Sequence, residues 1–144
     1  MERIDIRPLQ QEDSIPMFLL RTSDDVARVS FNPPPTMAMH KVFILETLAG
    51  KKPPIYVATV DGYFAGSCRI GYDACIDIMV AAPYRHKGIA SLMLQYLQGI
   101  HDKLVALVKQ DNTVALALFI KCGFVPTPEV SHYRVLAWFK EEEV

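Results

Sequence analysis

Val80-Ala81-Ala82-Pro83-Tyr84-Arg85-His86-Lys87-Gly88-Ile89-Ala90-Ser91 decides how this chain is read, because the hydrophobic period changes across it. Upstream, Ile55 to Val60, Tyr63 to Ile70 and Cys75 to Val80 are β-rich runs broken by Asp61-Gly62 and by Gly71-Tyr72-Asp73. Asp-Gly between such runs is a strong hairpin signal, so the spacing predicts an antiparallel meander of three strands. Downstream, Ile89, Leu92, Met93, Tyr96, Leu97 and Ile100 recur at helical spacing and predict one continuous helix packed on the sheet. A sheet thus hands the chain to a helix N-terminus, where unpaired N–H groups and the positive end of the helix dipole favour an anion. Gly88 lets the backbone approach a ligand without a Cβ, Ala90 is the next smallest choice, and Arg85 and Lys87 bring positive charge. The turn is suited to a diphosphate. Its ordinary structural reading is that Gly88 only eases helix entry while Arg85 and Lys87 are solvated. A Walker loop is excluded, because the turn continues Gly-Ile-Ala-Ser rather than Gly-Lys-Ser/Thr. A Rossmann turn fits no better, lacking a third glycine and an acidic residue about 20 positions on.

Working outward, Ile4 and Ile6 alternate with charged Arg3, Asp5 and Arg7, which predicts a half-buried strand ended by Pro8. Ser14 to Leu20 reads as a short helix. Thr36 to Leu48 reads as another, with Ala38, Val42, Leu45 and Ala49 at helical spacing before Gly50 stops it. Between them Asn32-Pro33-Pro34-Pro35 makes a stiff loop. Leu104 to Val108 is a continuous apolar run, the pattern of a central strand covered on both faces. Val114 to Ile120 is equally apolar, and its borders decide for a buried helix: Asp111-Asn112-Thr113 offers N-cap chemistry and Lys121-Cys122-Gly123 a glycine stop. Ser131 to Phe139 makes a last strand, and Glu141-Glu142-Glu143 a solvated tail.

At 144 residues the chain suits one domain, residues 1–144. Formal net charge is −1, which offers no basic footprint for nucleic acid. About half the residues are apolar (51%), yet none of the runs approaches the roughly 20 needed to cross a bilayer, and Met1-Glu2-Arg3-Ile4-Asp5 lacks an apolar export segment. A cytoplasmic protein without membrane attachment is the expectation. Cys68, Cys75 and Cys122 are an odd set without a C-x-x-C pair, and His40, His86, His101 and His132 lack metal-ligand spacing, so neither disulfides nor a metal is expected.

Arg85-x-x-Gly88-x-Ala90 after a strand ending in Val80 resembles the Q/R-x-x-G-x-G/A signature of the GNAT (GCN5-related N-acetyltransferase) superfamily. Asn112-x-x-Ala115-x-x-Leu118-Phe119-x-Lys121-x-Gly123-Phe124 is similar to that family's N-x-x-A-x-x-L-Y-x-K-x-G-F helix. The likeness spans Ile4 to Phe139 and is specific over about residues 76–124. It implies an α+β fold, an α/β/α sandwich with a central, mostly antiparallel sheet of about six to seven strands and about four helices. It also implies an acyl-CoA-dependent N-acyltransferase, with acetyl-CoA as donor cosubstrate and a primary amine of a small molecule or peptide as acceptor, acting as a monomer or homodimer. Residue by residue, backbone groups of Ile78, Met79 and Val80 would bind the pantetheine arm and acyl carbonyl. Arg85, His86, Lys87, Gly88, Ile89, Ala90 and Ser91 would cradle the pyrophosphate. Asn112 would reach the pantetheine or the amine, Ala115 would leave room for the cofactor, and Phe119 would lie beside the thioester sulfur. The bland alternatives are that Asn112 caps its helix and Phe119 fills core.

Acyl transfer needs a deprotonated amine, a stabilised oxyanion and a departing thiolate. The Val80 N–H would serve the oxyanion where the strand splays from its neighbour. An alkyl amine of pKa near 10.4 needs a base. Of the family's positions for one, Leu107 and Ile76 cannot act, and Asp77 is the candidate, although strand alternation turns it from the face of Val80 unless a bulge intervenes. Phe119 stands where the family has the tyrosine that protonates the leaving thiolate. Tyr84, Tyr133 and Cys122 are the alternatives, each with an ordinary structural reading. The departures leave two rivals to an enzyme: a non-catalytic acyl-CoA binder and a purely structural module.

Overall fold

A computed structural model describes residues 2–30, 32–71, 74–128 and 132–141. Strand β1 (Ile4–Pro8) pairs antiparallel with β2 (Ile55–Val60), β2 with β3 (Tyr63–Ile70), and β3 with β4 (Ile76–Val80). A second sheet has the order β5 (Lys103–Lys109), β7 (Tyr133–Phe139), β6 (Val125–Pro126). One parallel bridge, Cys75 to Val105, joins the two sheets.

The expected meander is present. Asp61 and Gly62 both take positive φ (51° and 85°), the geometry of a type I′ turn, which matches the twist of the strands it joins. The β2–β3 register shifts between Ala58 and Thr59, leaving Ala65 as an extra residue in β3.

Two apolar clusters lie on opposite faces of the first sheet. On one, α1 (Ser14–Arg21) and α3 (Met37–Leu48) pack Met17, Phe43 and Ile44 against Ile55, Val57 and Met79. On the other, α4 (Ile89–Ile100) and α5 (Thr113–Lys121) pack Ile89, Met93, Leu97 and Phe119 against Ala58, Cys68, Ile78 and Val80. The layering is the expected α/β/α sandwich, with seven strands and five helices among the described residues. None of these helices is long and apolar enough to cross a membrane.

The differences are local. An additional helix, α2 (Asp24–Val29), precedes the proline loop; Ser23 caps it by accepting from the Val26 N–H. Helix α3 forms where expected, with Thr36 as its N-cap accepting from the Met39 N–H, but the buried side carries His40, Ile44 and Thr47, whereas Val42 and Leu45 are 54% and 59% exposed. The helix is apolar on every side, so its period selects no unique face. Helix α5 is present but not buried: Phe119 is covered, whereas Val114 and Ile120 are 76% and 53% exposed. Strand β5 is not covered on both faces either. Leu104, Ala106 and Val108 alternate inward, whereas Leu107 on the other face is exposed. The expected features at Phe31, Tyr72, Asp73, Ser131, Glu142 and Glu143 lie outside the described residues.

Candidate cofactor cleft

The cleft begins with hydrogen-bond alternation. Gly71 N–H donates to Cys75 O and Ala81 N–H to Ala65 O, each at 2.8 Å, so the pairs bonded across β3 and β4 fall on Cys75, Asp77, Met79 and Ala81. The backbone groups of Ile76, Ile78 and Val80 therefore point away from β3, toward β5. Strand β5 meets β4 only where Val105 N–H donates to Ala74 O at 2.8 Å. Beyond that bridge the two sheets part, and Ile78 presents its N–H and C=O and Val80 its N–H to the gap, the Val80 carbonyl being taken by the Arg85 side chain. Met79 differs: its backbone faces Ser67 in the ladder, so of the three expected backbone positions two are aimed at the gap. Gly66 keeps β4 close, since a Cβ there would stand 2.3 Å from the carbonyl oxygen of Met79.

The turn after β4 follows a short helical segment, Ala82–Tyr84. His86 and Gly88 both adopt left-handed backbone, φ 64° and 79°. For His86 that conformation costs of order 1–2 kcal/mol, strain concentrated at this turn. Gly88 is the N-cap of α4, and no side chain caps it. The first-turn N–H groups of a twelve-residue helix thus open outward, and a Cβ on Gly88 would touch nothing within 4 Å. Gly88 is required by its φ and borders open space. Ile89 is 1% exposed and faces the core, so only its backbone is available to a ligand, while Ala90 and Ser91 are half-buried.

The basic side chains of the turn do more than the sequence indicates. Arg85 donates from Nε to Val80 O at 3.0 Å and from Nη1 to Asp25 at 2.7 Å. Lys87 Nζ meets Glu2 at 2.6 Å. Lys109 Nζ donates to Arg28 O at 3.2 Å, so α2 is tied both to the end of β5 and, through Arg85, to the turn after β4. Nothing in the phosphate motif pointed to α2; the available signal was Ser23 followed by the acidic pair Asp24-Asp25.

Around the gap, Asn112 caps α5 by accepting from the Ala115 N–H at 3.2 Å, and Ala115 packs on the main core. Phe119 is 7% exposed, with its ring 5.1 Å from that of Phe124 in an edge-on contact, which is a core position. Asp77 lies on the α1–α3 face, opposite the side chains of Ile78 and Val80, and pairs with Arg69 at 3.6 Å. Burial pushes the Cys122 thiol up, making it a weaker proton donor, and pushes Cys68 up to about 12. A groove of about 450 Å³ opens beside Ser91 along Gln95, Gln98 and Cys122, and a second of about 360 Å³ lies at Lys109, Asp111 and Tyr133.

A sequence model of the acetyltransferase (GNAT) domain matches residues 51–126, and the chain belongs to that family. No curated protein matches it. Among solved structures it is similar to spermidine N-acetyltransferase from Vibrio cholerae, in complex with CoA and spermine, at 16% identity and a TM-score of 0.83 over 95% of each chain. It is also similar to yncA from Salmonella typhimurium with acetyl-CoA, at 15% identity and a TM-score of 0.76 over 99% of this chain and 96% of that one. An N-acetyltransferase from Staphylococcus aureus Mu50 shares 21% identity at a TM-score of 0.71, over 95% of this chain and 98% of that one.

Proposed function

We propose that this protein, as one catalytic domain, transfers acetyl from acetyl-CoA to a primary amine of a small molecule or peptide by direct attack. The observation that carries the reading is the continuity of two unpaired backbone surfaces: the β4 edge at Ile78 and the Val80 N–H, and the uncapped start of α4 at Gly88 to Ser91. Together they offer one path for a diphosphate and the amide-bearing arm attached to it. The diphosphate would sit on the N–H groups of the α4 start, the arm would pair with Ile78, and the Val80 N–H would donate to the oxyanion developing on the thioester carbonyl. The amine nitrogen forms its bond to the acyl carbon as the C–S bond breaks, and Asp77, with its side chain 53% exposed, would take the amine proton. A thiol of pKa near 8.5 leaves tolerably as thiolate, so the missing tyrosine at Phe119 does not forbid turnover.

Titration calorimetry of acetyl-CoA into the wild type and a Gly88→Trp variant tests this. The indole would project into the open space over the α4 start, so the reading expects binding to the wild type and at least tenfold weaker binding to a folded variant. A folded wild type that does not bind overturns it. The buried Phe119 and the pairing of Asp77 with Arg69 favour a second reading, a non-catalytic acyl-CoA binder. It predicts the same calorimetry and no acetylated product from any amine.

A further inference from the structure

Three cations converge on one ring on the α1–α3 side of the sheet. The guanidinium carbons of Arg21 and Arg69 lie 4.8 and 5.0 Å from the centroid of Phe43, and Lys52 Nζ lies 5.9 Å from it. Among the described residues two carboxylates form ion pairs with them: Asp77 reaches Arg69 at 3.6 Å and Glu46 reaches Lys52 at 3.8 Å. Among the described residues none pairs with Arg21, whose Nη1 instead donates to Nδ1 of His40 at 2.9 Å. His40 is neutral in this arrangement, because its Nε2–H donates to Ser14 O at 2.7 Å while Nδ1 accepts from a group that can only donate. The Arg21 charge is therefore half-buried against an uncharged ring, a neutral imidazole and a second guanidinium, with the Asp77 carboxylate near enough to act on it but not paired with it. Burial lowers its pKa most, Asp77 counters, and Arg69 lowers it further. A cation so placed gains from an anion that desolvates with it.

The cluster flanks the reaction path. Asp77 and Arg69 are register partners, and Asp77 stands three positions before Val80, roughly 10 Å along the strand at about 3.3 Å per residue. Helices α4 and α5 cover the face of β4 that carries Ile78 and Val80, and α1 and α3 pack on the other, where the cluster lies; Asp77 on that second face keeps a side chain 53% exposed, so an acceptor can reach β4 beside the cluster.

We propose that the amine acceptor carries a carboxylate on a short chain, held by Arg21 and Arg69 over Phe43 while its amine points toward Asp77 and Val80. This rests on the acetyltransferase reading and names its substrate class. Arg21 and Arg69 are specificity residues that touch the acceptor away from the reacting atoms.

The test compares matched amines with acetyl-CoA: β-alanine against ethylamine, γ-aminobutyrate against propylamine, phenylalanine against phenethylamine, with spermine as a polycationic control. The carboxylated member of at least one pair should show about 10- to 100-fold higher kcat/KM than its partner. Arg21→Gln and Arg69→Gln should each erase that advantage, read as the kcat/KM ratio within each amine pair because loss of the Asp77 partner in Arg69→Gln changes turnover of both members, and Arg21→Lys should restore part of it. Should Arg21→Gln not fold, the wild-type pairs and Arg69→Gln still decide. Equal use of both members of every pair, a preference for spermine, acetyl-CoA binding without turnover of any carboxylated amine, or an advantage that survives both glutamine variants overturns the proposal with the cofactor reading standing. Failure to bind acetyl-CoA removes both.

Discussion

The Nε of Arg85 donates to the carbonyl oxygen of Val80 at 3.0 Å, closing a loop between the last residue of β4 and the turn that follows it. The same guanidinium reaches Asp25 of α2 at 2.7 Å, where the carboxylate is 58% exposed. Arg85 thus fixes the direction in which the turn leaves β4 and the angle at which α4 presents its first N–H groups.

The two bonds of Arg85 are separable. Asp25→Asn removes only the exposed half, so unfolding free energy in urea should change by less than about 1 kcal/mol, with acetyl-CoA affinity within about twofold of wild type. Arg85→Ala also leaves Val80 O without its partner. It should cost about 1–2 kcal/mol and weaken acetyl-CoA about tenfold by calorimetry. Equal effects from the two variants would mean that the bond to Val80 does not hold the turn.

Gly66 carries a different constraint. Its φ is unremarkable, but a Cβ would stand 2.3 Å from Met79 O, and that atom is backbone and cannot rotate aside. Gly66→Ala must push β3 from β4 where Val80 pairs with Gly66. The expected cost is about 1–3 kcal/mol in urea unfolding, with acetyl-CoA affinity falling further than that of Arg85→Ala, because the β4 edge itself moves. Wild-type affinity in this variant would show that the backbone groups of Ile78 and Val80 do not contact the cosubstrate.

What was legible in the sequence follows from local chemistry. Asp61-Gly62 can make one kind of turn, Gly88 marks the entry to a helix, and Asn112 caps the helix it precedes. These features depend on residues within a few positions of one another. Which side of α3 is buried depends on the sheet beneath it, and Val42, Leu45, Phe43 and Ile44 are equally apolar to a periodicity count. Helix α5 reads as buried for the same reason, although only Phe119 is fully buried and Ala115, Leu116 and Leu118 are half-buried. The ion pairs that engage Arg85 with Asp25 and Lys87 with Glu2 bridge 60 and 85 positions, separations at which a motif carries no information. The convergence of Arg21, Lys52 and Arg69 on Phe43 was invisible for the same reason.

His40 supplies the pH dependence. It is fully buried between Ser14 O and Arg21, and burial pulls its pKa below the ordinary 6.5, with the Ser14 carbonyl opposing and Arg21 adding to the fall. Above about pH 6.5 both folded and unfolded chains hold this imidazole neutral, and its contribution to stability is fully present. As pH falls below that value the unfolded chain takes up the proton and the folded one resists, so stability is lost by up to about 1.4 kcal/mol per pH unit until the folded pKa is reached. Thermal melts between about pH 7.5 and pH 5.5 should show a falling Tm for the wild type. His40→Gln should start lower, having lost packing and a hydrogen bond, yet fall less over the same interval. Parallel slopes would place the titrating group elsewhere. A shallower slope in the variant would establish that the imidazole beside Arg21 is neutral in the native fold, leaving that guanidinium with a neutral partner where a carboxylate would otherwise balance it.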